Sequence, residues 1–304
     1  MKHSLRITLL MLFIFFITQL IGLAITKEYL NVNEFIDPDT KEITRELETE
    51  ALPYNLERPQ VEESTSYIWI VAAIIIGTLL LLLLIKYKRF NLWKLWFFLA
   101  VFFTMAVAFS AFIQQEVAAL LAFVLAILKV YKPQTIIQNI TEVFIYGGLA
   151  AIFVPVINLF AAFMLLIVIS VYDIIAVNKT KHMVKLAKFQ AESKVFAGLM
   201  LQYDNKKEKP TKKTKVKKAA GIKLAVLGGG DIGFPLIFAG VVMKDLMLSN
   251  PELIGFLKTL IIPLFTTLAL MFLLFKGKQN KFYPAMPYLT AGCFIGYSII
   301  LLFF

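Results

Sequence analysis

One cysteine and two histidines in 304 residues remove several kinds of chemistry at once. The lone Cys293 lies inside the last apolar run, so neither an intrachain disulfide nor a thiolate metal cluster can form. His3 and His182 are the only imidazoles, and there is no H-E-x-x-H. Neither histidine stands near a serine in an elbow-like glycine context, which sets aside zinc and serine-histidine hydrolysis and leaves no metal site to expect. Charge is sparse as well: only 17% of residues are Asp, Glu, Lys or Arg, and they gather in loops. The net charge of +11 is therefore segregated rather than spread over a face, so no nucleic-acid partner is expected.

What the chain has in quantity is apolar surface. Hydrophobic residues make up 59% of it and phenylalanine occurs 28 times. The mean hydropathy of +0.77 is far from that of a soluble globular domain. A helix needs about 20 apolar residues to cross a hydrocarbon core of roughly 30 Å. Runs of that order fall near residues 5–25, 67–85, 92–113, 117–131, 137–157, 159–177, 224–247, 253–275 and 284–304. The expected fold is an all-α polytopic membrane protein with about nine transmembrane helices, the fourth of them short. The first run has no small-x-small site after it and reads as a retained anchor. The chain divides into residues 1–177 with six spans and a loop at 27–66, a linker at 178–223, and residues 224–304 with three spans.

The loops differ sharply in charge. Residues 27–66 hold eleven Asp and Glu against four Lys and Arg, whereas residues 178–223 hold fourteen Lys against three acids. With nine spans and a cytoplasmic amino terminus, four basic regions share one side: Lys86, Lys88 and Arg89; Lys129 and Lys132; the linker; and Lys276, Lys278 and Lys281. That side is the cytoplasm by the positive-inside rule, which leaves the acidic loop and the carboxyl terminus outside, with the cell membrane as the expected location. The acidic loop reads as partly ordered cover. Asn205–Gly221 is too poor in apolar residues to fold alone and reads as flexible. Lys181–Met200 sets Lys181, Lys185 and Lys188 on one stripe, which predicts a helix along the lipid interface.

Six acids lie outside those two loops. Glu116, Asp245 and Glu252 sit at outer segment ends, and Glu142, after the polar string QNIT, is a reserve candidate. Asp173 in LLIVISVYDIIAV and Asp231 in KLAVLGGGDIGFPLIFAG have apolar flanks and no neighbouring Lys or Arg. A charge deep in a bilayer costs at least ~2.5–3.5 kcal/mol, so such residues face the bundle interior and mark function. Counted at helical rise, Asp173 lies about 9 Å and Asp231 about 12 Å below the inner surface. The two runs are antiparallel and joined by the linker, so carboxyls 58 residues apart can meet at one level.

Two acids that close in a dry site share one proton, because like charges repel there. The ionised member can take a proton from an attacking water while its protonated partner donates to a carbonyl oxygen, and that is peptide hydrolysis. Gly228, Gly229 and Gly230 cost a helix up to ~1 kcal/mol each and allow another backbone to come close, as an extended substrate strand would. Two other readings fit part of the pattern. GGGD can be a small-residue packing patch, and buried carboxylates also serve proton- or cation-coupled transporters and channels, although no inverted repeat is visible.

Taken together, VYDIIAV with Tyr172 and Asp173, GGGD ending in Asp231, and YPAMPYL with Pro284, Ala285 and Met286 resemble the presenilin and signal peptide peptidase family of intramembrane aspartyl proteases. That family carries Tyr-Asp in its sixth span, Gly-x-Gly-Asp in its seventh and Pro-Ala-Leu at the start of its ninth. The third motif here reads Pro-Ala-Met, a nearly volume-conserving departure. Span count, order and the long loop between spans six and seven match too, so the resemblance covers essentially the whole chain.

The resemblance implies a presenilin-like fold and an aspartic endopeptidase with Asp173 and Asp231 as catalytic pair. Tyr172, Gly228, Gly229, Gly230, Pro284, Ala285 and Met286 would shape the site. It implies transmembrane protein substrates within the lipid bilayer and no cofactor. The compact chain resembles microbial homologues, which implies no obligatory partner, while a homo-oligomer stays open. The charge pattern resembles presenilin's orientation, so substrates with external amino termini are expected. The linker lacks an apolar segment like the one in which presenilin is cut, so an uncut chain is expected.

Overall fold

The computed structural model describes residues 5–36, 43–180, 189, 195–204, 222–277 and 283–303. Helix α1 (Leu5–Lys27) leads into strands β1 (Leu30–Ile36) and β2 (Ile43–Thr49), then α2 (Ser66–Lys86), α3 (Phe90–Ser110), α4 (Gln115–Tyr131), α5 (Thr135–Phe153) and α6 (Leu159–Ile175). Strands β3 (Gly198–Asp204) and β4 (Ile222–Gly228) precede α7 (Gly229–Ser249), α8 (Glu252–Thr259), α9 (Ile261–Lys276) and α10 (Met286–Phe303). Eight helical units among the described residues are long and apolar enough to span a bilayer, with α8 and α9 forming one broken span over Glu252–Lys276. The ninth, α4, has 17 residues, the lower end of what a bilayer needs.

Two antiparallel hairpins accompany the helices. In the acidic loop, β1 pairs with β2 from Leu30↔Thr49 to Ile36↔Ile43. Tyr29 fastens that loop to the bundle by donating its hydroxyl to the Val107 carbonyl of α3 at 2.8 Å. The second hairpin corrects two expectations. The run from 224 does not begin as helix: residues up to Gly228 are strand, paired with β3. The interfacial helix expected over Lys181–Met200 falls mostly outside the described residues, and its end, from Gly198, is strand rather than helix. The flexible stretch expected at Asn205–Gly221 also falls outside them.

Helix α7 is the centre of the bundle, with 72% of its spanning window buried. It packs against α1, α5, α6, α9 and α10. Phe15 and Leu23 of α1, Leu165 of α6, Leu236 and Phe238 of α7 and Leu289 of α10 belong to one core. Helices α3 and α4 build a second, in which Ala118, Ala122 and Ala126 present a small-residue face to α3. Lipid tails are as apolar as leucine, so close packing rather than water exclusion holds such helices together. Helix α2 is peripheral and buries only Ser66.

Helices α3 and α5 approach closely at Gly148, where a Cβ would overlap the Thr104 carbonyl oxygen. Gly148→Ala is expected to push these helices apart and cost about 1–3 kcal/mol, read as a lower midpoint of thermal unfolding in detergent. At the end bearing the acidic loop, Lys27 pairs with Glu252, and Lys244 lies 3.3 Å from both Glu63 Oε2 and the Pro155 carbonyl. These contacts put the ends of α1, α7 and α8 on one side, as nine alternating spans require.

Candidate active site

Asp173 lies in the last turns of α6 and Asp231 in the first turn of α7. Both line a single cavity of about 620 Å³. Tyr172, Gly228, Gly229, Gly230, Ala285 and Met286 line it too. Pro284 does not; it stands in the short irregular segment that leads into α10. The walls are otherwise mainly apolar side chains from α3, α5, α7 and α9 and from strand β4.

Asp173 is 6% exposed, and its Oδ2 accepts the Met286 backbone N–H at 3.1 Å. Met286 opens α10, where the first N–H groups have no partner within the helix. One turn further into the membrane, Ser170 Oγ and Thr290 Oγ1 are 2.7 Å apart. These two polar contacts fix α6 against α10 in register, so the Pro-Ala-Met segment holds Asp173 in place through its backbone. Tyr172 Oη lies 3.5 Å from Thr78 Oγ1 of α2, the outer limit of a hydrogen bond.

The glycines have separate reasons. Gly228 is the residue at which β4 ends and α7 begins, with extended backbone at φ −66° and ψ 151°. A Cβ there would come within 3.3 Å of Asp231 Oδ2. Gly229 makes room for a tyrosine: a Cβ on it would stand 2.5 Å from Tyr146 Oη.

That tyrosine belongs to a polar group in the same wall. Glu142, 1% exposed, lines the cavity and accepts the Tyr146 hydroxyl on Oε2. Its Oε1 is 2.6 Å from Lys129 Nζ and 2.8 Å from Gln138 Nε2. Lys129 also donates to Thr141 Oγ1 at 3.0 Å. Lys129 is thus not a loop lysine, as its sign suggested; it is 2% exposed, in the last turn of α4, neutralising Glu142. Gln138 Nε2 further lies 2.8 and 2.9 Å from the carbonyl oxygens of Phe196 and Gly198, and Asn139 makes a two-way pair with the Met200 backbone. Tyr146, Gln138 and Lys129 were not among the sequence candidates. The signal was present, because Gln138, Glu142 and Tyr146 recur every four residues and so share one face of α5.

Fold and cavity define a class: a polytopic membrane protein in which two helices bring carboxylates to one cavity. A family profile described as "Signal-peptide peptidase, presenilin aspartyl protease" matches residues 46–304, and the chain belongs to this family. Its architecture is similar to two solved structures of a presenilin family intramembrane aspartate protease. The one in space group C222 is 18% identical with a TM-score of 0.61, covering 97% of this chain and 98% of that one. The one in space group P2 is 19% identical with a TM-score of 0.57, covering 96% of each chain. No curated protein matches this chain.

Proposed function

We propose that Asp173 and Asp231 are the catalytic pair of a GxGD-type endopeptidase that hydrolyses peptide bonds in transmembrane segments of other membrane proteins. One observation carries this reading: in a chain of an aspartyl protease family, two carboxylates from antiparallel helices line the same cavity. A water oxygen bonds to the amide carbon while the ionised carboxylate takes one of its protons and the protonated partner gives its own to the carbonyl oxygen. In the diol that results, the newly protonated carboxyl donates to the amide nitrogen and the other reclaims a hydroxyl proton. The C–N bond breaks and the pair is restored.

A helical substrate must open first, since its amides are shielded by their own hydrogen bonds. Strand β4 runs straight into Asp231, and among the described residues it is paired on one edge only, which suits an extended guest. The charge pattern supports a cytoplasmic amino terminus and linker in the cell membrane and substrates with external amino termini, with Lys86, Lys88, Arg89, Lys132, Lys276 and the linker lysines as the basic side. The chain acts without an obligatory partner. Family membership leaves the transporter reading without support.

The test is purified protein in liposomes with a single-span substrate: cleavage blocked by hydroxyl-containing peptide isosteres supports the reading, and ion flux without cleavage overturns it. The Met286 contact gives a finer check. Met286→Pro deletes the N–H offered to Asp173 at a helix start that tolerates proline, and Met286→Ala is the control for the lost side chain. A hydrogen bond to a charged group contributes about 1.5–3 kcal/mol, so cleavage should fall at least ~10-fold further in the proline variant than in the alanine one.

A further inference from the structure

We propose that Tyr146 is a positioning residue for Asp231, held in place by the buried Lys129–Glu142 pair. This rests on the reading of Asp231 as a member of the catalytic pair. The hydroxyl proton of Tyr146 is committed to Glu142 Oε2, so towards its other side the phenolic oxygen can only accept. That other side is the first turn of α7. A Cβ on Gly229 would lie 2.5 Å from Oη and 3.3 Å from Cζ, and one on Gly233 would lie 3.5 Å from Cδ1. The ring therefore runs along the turn that carries Asp231. The phenolic oxygen and the ring edge thus form the surface on which that turn rests, at Gly229 and Gly233.

Packing alone would not require this chemistry. Taking Lys129 and Glu142 out of water is costly for each ion, and hydrophobic residues of similar volume usually do as well for stability. What an ionised Glu142 adds is direction. One oxygen faces Lys129 and Gln138 and the other faces Tyr146. Through Gln138 the same carboxylate is linked to the carbonyls of Phe196 and Gly198, at the entrance to β3. A single charge pair thus sets both the strand wall of the cavity and the height of the Asp231 turn.

A misplacement of about 1 Å costs up to ~100-fold in rate, so Tyr146→Phe is expected to lower kcat about 10- to 100-fold with KM within about twofold. Its unfolding midpoint in detergent should fall modestly, since Glu142 Oε2 loses a hydrogen bond while Oε1 keeps Lys129, and the folded fraction at the assay temperature should stay that of the parent. Glu142→Gln replaces two acceptor oxygens by one oxygen and one NH2, and Lys129 claims the oxygen, so the Tyr146 hydroxyl loses its acceptor; the variant should be slowed about as much as Tyr146→Phe, and the double variant should be no slower than either. Gly229→Ala drives a methyl group into the hydroxyl. It should slow the parent about as much as Tyr146→Phe does, but by less than about threefold in the Tyr146→Phe background, where the nearest ring atom is 3.3 Å away.

A kcat for Tyr146→Phe within about threefold of the parent overturns the proposal. So does a Gly229→Ala loss of equal size in both backgrounds, or a rate loss matched by a fall in the folded fraction. Asp231→Asn, assayed alongside, separates the two levels. An inactive Asp231→Asn beside a fully active Tyr146→Phe removes only the positioning role, whereas an active Asp231→Asn removes the catalytic pair itself.

Discussion

Asp173→Asn and Asp231→Asn are each expected to reduce cleavage by about 10⁴-fold or more, and the double variant to reduce it no further, because groups acting as one unit lose nearly everything with the first deletion. Asparagine keeps the size of the side chain and offers the Met286 N–H an oxygen, so the fold is expected to survive. What it cannot do is exchange a proton with a water at neutral pH. Fragment yield from a single-span substrate in proteoliposomes measures the loss, with unfolding midpoints recorded in parallel. Cleavage within about tenfold of the parent in either single variant would remove the pair.

The largest effect on stability is expected at Lys129. Both side chains of the Lys129–Glu142 pair are 1% exposed, and Lys129→Met fills most of the volume while stranding the carboxylate. Breaking a buried pair on one side typically costs about 3–5 kcal/mol. Adding Glu142→Leu removes the stranded group and should recover most of that stability, as seen in detergent unfolding. The double variant should nevertheless remain slow, since Tyr146 then has no acceptor. A Lys129→Met protein as stable as the parent would show that the pair is not coupled to the fold.

Each place where the sequence misleads has its own physical cause. The run from 224 reads as a span from its first residue because Leu224 and Val226, which are exposed, are as apolar as the buried Ala225 and Leu227. A strand that is apolar on both faces hides its twofold period. Helical rise from Lys223 understates the distance to Asp231, because a strand advances about 3.3 Å per residue, so matched helical depth is not what brings the two acids to one cavity. Lys129 reads as a loop charge in the sequence because positive-inside counting registers sign and position but not burial. Asp173 and Asp231 were legible because nothing local offsets a carboxylate in an apolar run.

Residue order alone determined that the chain crosses a membrane many times, where along it the charged loops fall and which two acids lack a local explanation. Each of these follows from quantities that accumulate along a continuous stretch. The folded arrangement decided the rest: that Met286 presents its N–H to Asp173, that Gly229 leaves space for Tyr146, and that Lys129 of α4 neutralises Glu142 of α5. Such meetings depend on the rotation and crossing of separate helices, set by the interlocking of many side chains together, and no single segment carries that information.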